Sequence, residues 1–296
     1  MSWIGFTLFA ALMQAVRTAG QKHLTSSLSA VASTWARYGF GLPIALIYFL
    51  IVCQQRTEPF PALSLRFSLY VVLAACAQLL ATLLLVKVLS LRNFSVGTTY
   101  AKTEGILAAL LGTVFFGAQL HPLAWLAIGL GITGVLFVSM SRAKVGLRAI
   151  IDGRSAFYGL TAGTGFAFTA LWVRAASVEL STDPLFSAAL ILLLSILLQA
   201  IICSLLVHRQ NPDNWRRLAA NAKVCVFVGL TGTLGSIGWY SAFALQEAAI
   251  VKSLGQLEFI FTLLLTYFFF KERISRQEWI GILLVLASVI LLLWAT

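Results

Sequence analysis

The sequence predicts an all-α membrane protein of ten transmembrane helices, arranged as two inverted five-helix repeats. Three observations lead there. Of 296 residues, 60% are hydrophobic and 10% charged, whereas a soluble domain coats itself with roughly 25% charged residues. The apolar residues fall in long continuous runs of the length a helix needs, about 20 residues for about 30 Å of hydrocarbon. A β-barrel would show shorter segments of alternating polarity. Finally, a shift of 154 residues lays the second half of the chain on the first without a gap, pairing Glu104 with Glu258 and Trp125 with Trp279.

Runs broken by charge, proline or polar clusters give ten spans in order: Trp3 to Gln21, Ala30 to Val52, Phe67 to Leu89, Ser95 to Gly117, Pro122 to Met140, Ala156 to Val178, Leu185 to Val207, Val224 to Leu245, Ala249 to Phe270 and Gln277 to Trp294. Each is expected to be helical because lipid offers backbone groups no partner. The opening stretch lacks the basic n-region and small-residue cleavage site of a secretory signal and is read as a retained first span. Pro43, without a backbone donor, is positioned to kink the second. Gly229, Gly232, Gly235 and Gly238 place a small-residue stripe on the eighth, suited to close helix approach, as a sliding surface or as static packing. Cys53, Cys76, Cys203 and Cys225 have no paired spacing and suggest neither disulfides nor a metal site. The sequon Asn93-Phe94-Ser95 is common by chance and falls in a loop expected to be cytoplasmic.

The same shift pairs Phe115-Phe116 with Phe269-Phe270, Leu80 with Leu234, Ile128 with Ile282 and Gly5 with Gly159, dividing the chain into repeats 1–141 and 154–296. With five spans each, equivalent loops must lie on opposite sides of the membrane. Charge agrees. Basic residues crowd the loop with Arg142, Lys144, Arg148 and Arg154, the stretch with Arg209, Arg216, Arg217 and Lys223, and the loop with Lys271, Arg273 and Arg276, while the counterparts of the last two are poor in them. The positive-inside rule then predicts that both termini of this multi-pass membrane protein are non-cytoplasmic. It also accounts for the net charge of +11, so nucleic acid is not expected as a partner.

Gln256-Leu257-Glu258 through Phe270-Lys271-Glu272-Arg273, then Glu278-Trp279-Ile280-Gly281, resembles the drug/metabolite transporter superfamily in its EamA-type members. Trp125 to Gly134 is similar to the fifth span of the same repeat. The resemblance covers essentially the whole chain and is specific for family rather than substrate. It implies two inverted five-helix halves around a central cavity, the fifth and tenth helices at the periphery, a location in the cell membrane (the bacterial inner membrane), and export of amino acids, other metabolites or drugs, as often in its bacterial members, with import in some. The family often has Gly-Glu where the fourth span ends; here the pair is Gly117-Ala118.

Glu104 and Glu258 are the strongest site candidates, since each lies roughly ten residues inside a span, where a charge is costly. Such acids can exchange protons or hold a cationic group; the alternative is an interhelical hydrogen bond or neutralisation by Lys102. Lys102, about 200° around an ideal helix from Glu104, can meet an anionic group, snorkel, or neutralise another helix's acid. Its repeat equivalent is Gln256, which makes the lysine a candidate determinant of the substrate. Arg17, Arg37 and Arg174 sit nearer span ends, where long side chains can snorkel to the interface; Arg37 lies deepest, resembles one often seen early in the family's second span, and is the one carried forward as a cavity residue. Tyr100, Gln14, Gln78, Trp239, Tyr240 and Gln256 are polar or aromatic residues at depth that can shape a cavity.

The expected function is a secondary active transporter of a small organic metabolite, such as an amino acid, amine or drug-like compound. Alternating access, proton coupling and a monomer or homodimer are expected, with no cofactor and no metal. No P-loop or catalytic constellation points to an enzyme. The alternatives are a membrane-embedded enzyme acting on lipid-linked intermediates and a non-transporting scaffold.

Overall fold

Apolar runs deprived of outside hydrogen-bond partners close their backbone bonds within helices. The computed structural model describes residues 2–91, 100–143, 153–270 and 275–294, with no strand among them. The helices are α1 (Ser2–Leu24), α2 (Ala30–Gly39), α3 (Leu42–Gln54), α4 (Leu65–Ser90), α5 (Glu104–Phe116), α6 (Pro122–Ala143), α7 (Gly153–Leu180), α8 (Pro184–Gln210), α9 (Asn214–Ala220), α10 (Ala222–Leu245), α11 (Ala248–Leu254), α12 (Glu258–Phe270) and α13 (Arg276–Trp294). Six of the described stretches are long and apolar enough to cross a membrane: Ala30–Gln54, Leu65–Ser90, Arg154–Leu180, Pro184–Gln210, Ala222–Leu245 and Arg276–Trp294.

Local chemistry sets several boundaries. The side chains of Ser29, Ser64 and Asp183 accept from the backbone of Ala32, Phe67 and Phe186 at 3.2, 3.0 and 2.8 Å, satisfying donors that have no partner within the helix. α5 stops at Gly117, whose φ of 66° is the left-handed conformation glycine adopts without a Cβ penalty.

Three expected spans are interrupted. Phe40-Gly41 separates α2 from α3, with Pro43 in the first turn of α3, where its missing donor costs nothing. Lys102 and Thr103 form a turn before α5, and the 3₁₀ turn Gly255–Leu257 separates α11 from α12. Glu104 and Glu258 therefore each open a helix instead of lying within one. The 200° separation expected between Lys102 and Glu104 assumed a continuous helix and does not hold. The sequon at Asn93, Arg148 and Lys144 in the central loop, and Lys271-Glu272-Arg273 lie outside the described residues.

The first span of each half packs along the third span of the other: α1 on α10, and α7 on α4. α1 and α10 run antiparallel, since Gly238 faces Phe6 and Ala10, Gly235 faces Met13, and Gly232 faces Arg17. So do α4 and α7, with Gly165 against Ala77 and Ala81, and the Lys87 ammonium 4.6 Å from the Tyr158 ring centre. The equivalent helices α6 and α13 meet the same way, Gly134 against Leu284 and Val285, Gly131 against Ser288. Outer faces are apolar, with Ile47, Leu50 and Ile51 on α3 and Leu283 and Ile290 on α13 all exposed.

Candidate functional site

Two of the three breaks bring an acid to a helix start. Glu104 stands at the head of α5, and Glu258 at the head of α12, where its own N–H bonds back to the Gly255 carbonyl of the 3₁₀ turn. Neither stands alone. The Lys102 ammonium donates to Glu258 Oε2 at 2.5 Å, and the Lys252 ammonium, from α11, donates to Glu104 Oε2 at 3.1 Å. Each half thus supplies the base for the other half's acid.

A second layer orients these pairs. Gln14 of α1 donates to Glu258 Oε2 at 2.6 Å and accepts from Trp239 Nε1 at 3.0 Å. Lys252 lies 4.7 Å from the Trp239 ring centre, a distance at which the ring's negative face attracts the ammonium. Both acids and both lysines line one cavity of about 280 Å³, near the lower end of small-molecule sites at roughly 300 Å³. Its polar wall adds Gln14, Arg17, Thr18 and Lys22; its apolar wall is Leu85, Leu89, Phe166 and Phe259. The lining runs from the middle of α1 to the C-terminal ends of α1 and α4, where Lys22 donates to the Leu89 carbonyl at 2.5 Å. Deeper, it meets a narrow crevice bordered by Arg37, Gly232, Ser236 and Trp239, with no room for a water.

Of the residues singled out in the sequence, the structure brings Glu104, Glu258, Lys102 and Gln14 to the cavity, with Trp239 and Arg37 at its inner edge. Arg37 is buried and donates to the hydroxyls of Thr82 at 3.0 Å and Ser236 at 3.2 Å. The other four lie elsewhere. Gln78 accepts from Gln199 Nε2 at 2.8 Å and from the Tyr240 hydroxyl at 3.0 Å, so Gln78 and Tyr240 belong to a closed polar knot between helices. Gln256 is buried beside Gly105, Gly131 and Ser288, facing α6 and α13. Tyr100 precedes the turn at Lys102 and is not part of the lining.

Sequence reasoning missed Lys252 and underrated Arg17. Lys252 is the fourth residue of its expected span, where a lysine reads as snorkelling to the interface, so its depth in the fold was not visible in the run.

A profile of the EamA-like transporter family matches residues 1–140 and 153–294. Over 59 residues, 20% of this chain, the sequence is 34% identical to the probable 4-amino-4-deoxy-L-arabinose-phosphoundecaprenol flippase subunit ArnE of Pseudomonas fluorescens, a match that spans about half (52%) of that relative's length. A protein of known crystal structure shares the fold with a TM-score of 0.72 at 14% identity, covering 99% of this chain and 98% of that one.

Proposed function

The chain belongs to the EamA-like transporter family, and we propose that it is a secondary transporter that carries a small organic solute through the membrane by alternating access. The two antiparallel partnerships between first and third spans, and the antiparallel contact of α6 with α13, support reading the halves as inverted five-helix repeats. Transporters built this way place substrate near the midplane, at discontinuous helices that face each other across the repeat interface. The breaks before Glu104 and Glu258 fit that plan.

One observation carries the reading: acids at equivalent positions of the two halves line a single cavity, and each is held by a lysine of the opposite half. This crossed clasp is a two-state element. Closing it joins the halves at the cavity. A solute group or a proton that takes either carboxylate releases a lysine and lets the halves part. On the positive-inside reading, the cavity, which extends to the C-terminal ends of α1 and α4, opens to the cytoplasm, as loading for export requires. Monomer and homodimer are both compatible with this scheme, because the clasp lies within one chain.

The test is uptake into proteoliposomes from a metabolite panel, with the full chain and with Glu104→Gln and Glu258→Gln. Each variant is expected to lose at least about hundredfold in flux, as removal of an interaction needed in the rate-limiting step costs about 2.7 kcal/mol or more. Flux at the wild-type rate in the double variant overturns the proposal.

The similarity to the flippase subunit favours a second reading, in which the cargo is lipid-linked and its head group occupies the cavity. Movement of a fluorescent polyprenyl phosphate between leaflets, without uptake of any soluble solute, decides for it.

A further inference from the structure

The charges on the cavity wall point to the kind of ligand, an inference that rests on reading this cavity as the substrate site. Arg17, Lys22, Lys102 and Lys252 bring four formal positive charges, Glu104 and Glu258 two negative ones. The carboxylates are already engaged by Lys102 and Lys252. Arg17 is 3% exposed, reaches the cavity, forms no ion pair among the described residues, and has a buried Nε without a partner. The neighbouring Arg37 bonds to two neutral hydroxyls.

The other described carboxylates are occupied elsewhere. Glu58 pairs with Arg56, Asp213 with Arg217 and Glu247 with Arg174; Asp183 caps α8, Glu179 accepts from Ser64, and Glu278 accepts from the Ser275 backbone. Burying a guanidinium without an ion-pair partner is costly, and Glu258 and Glu104, the acids that share the cavity with Arg17, are held by lysines. The fold nonetheless makes room for two: a Cβ on Gly232 would stand 3.3 Å from Cδ of Arg17 and 3.0 Å from Cγ of Arg37, so both stems rest on the same bare patch of α10.

We propose that the cavity binds an anionic head group, a carboxylate or a phosphate, at Arg17, with the apolar remainder of the ligand against Leu85, Phe166 and Phe259. A guanidinium presents paired N–H donors that match the two oxygens of such a group. The incoming charge balances the arginine and leaves the carboxylates to their lysines, so that of the two triggers it is a proton, not the solute, that opens the clasp. The anion comes either from a water-soluble organic acid or from a lipid-borne phosphate.

The test uses the purified full chain in nanodiscs, with four probes of one shape at millimolar concentration: phenylacetate, phenyl phosphate, phenylacetamide and phenethylamine. Thermal shift and tryptophan fluorescence report binding. The anions are expected to bind and the neutral and cationic analogues not to, and Arg17→Gln is expected to weaken anion binding about tenfold to hundredfold, with Arg17→Lys retaining part of it. Selectivity in the wild-type protein decides the matter even where the variants fold poorly. If phosphatidate in the disc competes with phenyl phosphate, the lipid-borne source is the natural one; if it does not, the soluble acid is. Binding of the amide or the amine as tight as that of the anions, no anion binding, or undiminished anion binding by Arg17→Gln overturns the proposal. A neutral solute carried by wild type and lost in Glu258→Gln would remove the anion and keep the transporter, whereas anion binding without flux of any solute would do the reverse.

Discussion

The two halves share their acids and differ in their cations. Under the 154-residue shift Glu104 falls on Glu258, but Arg17 falls on Leu171, Arg37 on Ile191 and Lys102 on Gln256. The partner of Gly232, which accommodates both arginine stems, is Gln78, which instead ties Gln199 and Tyr240 into a knot. The clasp's acids are kept in both halves, whereas its lysines are not, since Lys252 falls on Thr98 just as Lys102 falls on Gln256. Residues present in one half alone give the cavity its sign. Of its cations, Arg17, Lys22 and Lys102 come from the first half and Lys252 from the second.

The comparison can be broken most sharply at the clasp. Glu258 accepts from both Lys102 and Gln14, whereas Glu104 accepts from Lys252, which also has the Trp239 ring. Glu258→Ala should therefore lower unfolding stability by about 3 kcal/mol, and Glu104→Ala by less, because removing one partner strands a buried charge. Unfolding in mild detergent measures both, and equal losses would mean that the second donor and the ring do not matter. Exchanging the charges, Lys102→Glu with Glu258→Lys, should recover about 1–2 kcal/mol relative to the sum of the single changes, read from a double-mutant cycle. Gly232→Ala tests the asymmetric side. Crowding two arginine stems should cost about 1–2 kcal/mol and weaken anion binding. Smallest is Tyr240→Phe, which removes one hydrogen bond from the knot around Gln78. A stability loss of about 0.5–1 kcal/mol with unchanged flux is expected, and a flux defect would return Tyr240 to the transport path.

Composition and run length made the helical membrane fold legible, and the pairing of Glu104 with Glu258 located the centre of the site. The interruptions at Lys102-Thr103 and Gly255–Leu257 were not legible, because an apolar run looks the same whether its helix is continuous or broken once. Polarity at depth also has two meanings that spacing does not separate. Gln14 faces the cavity, whereas Gln78 and Gln256 at similar depth do not, since which face a helix turns inward depends on neighbours far away in the chain. Arg17, near the end of α1, had the position of a snorkelling residue. What makes it a cavity residue is Gly232, which lies more than two hundred residues further on.

The crossed clasp also has a consequence for biosynthesis. Glu104 precedes its lysine by 148 residues, and Lys102 precedes its acid by 156. At a synthesis rate of about 5–20 residues per second, each waits on the order of ten seconds for a partner. Until then the first half carries Lys102 and Glu104 without those partners, at a cost of roughly 2.5–3.5 kcal/mol for a charge at a helix centre, and the arrival of the second half removes that cost.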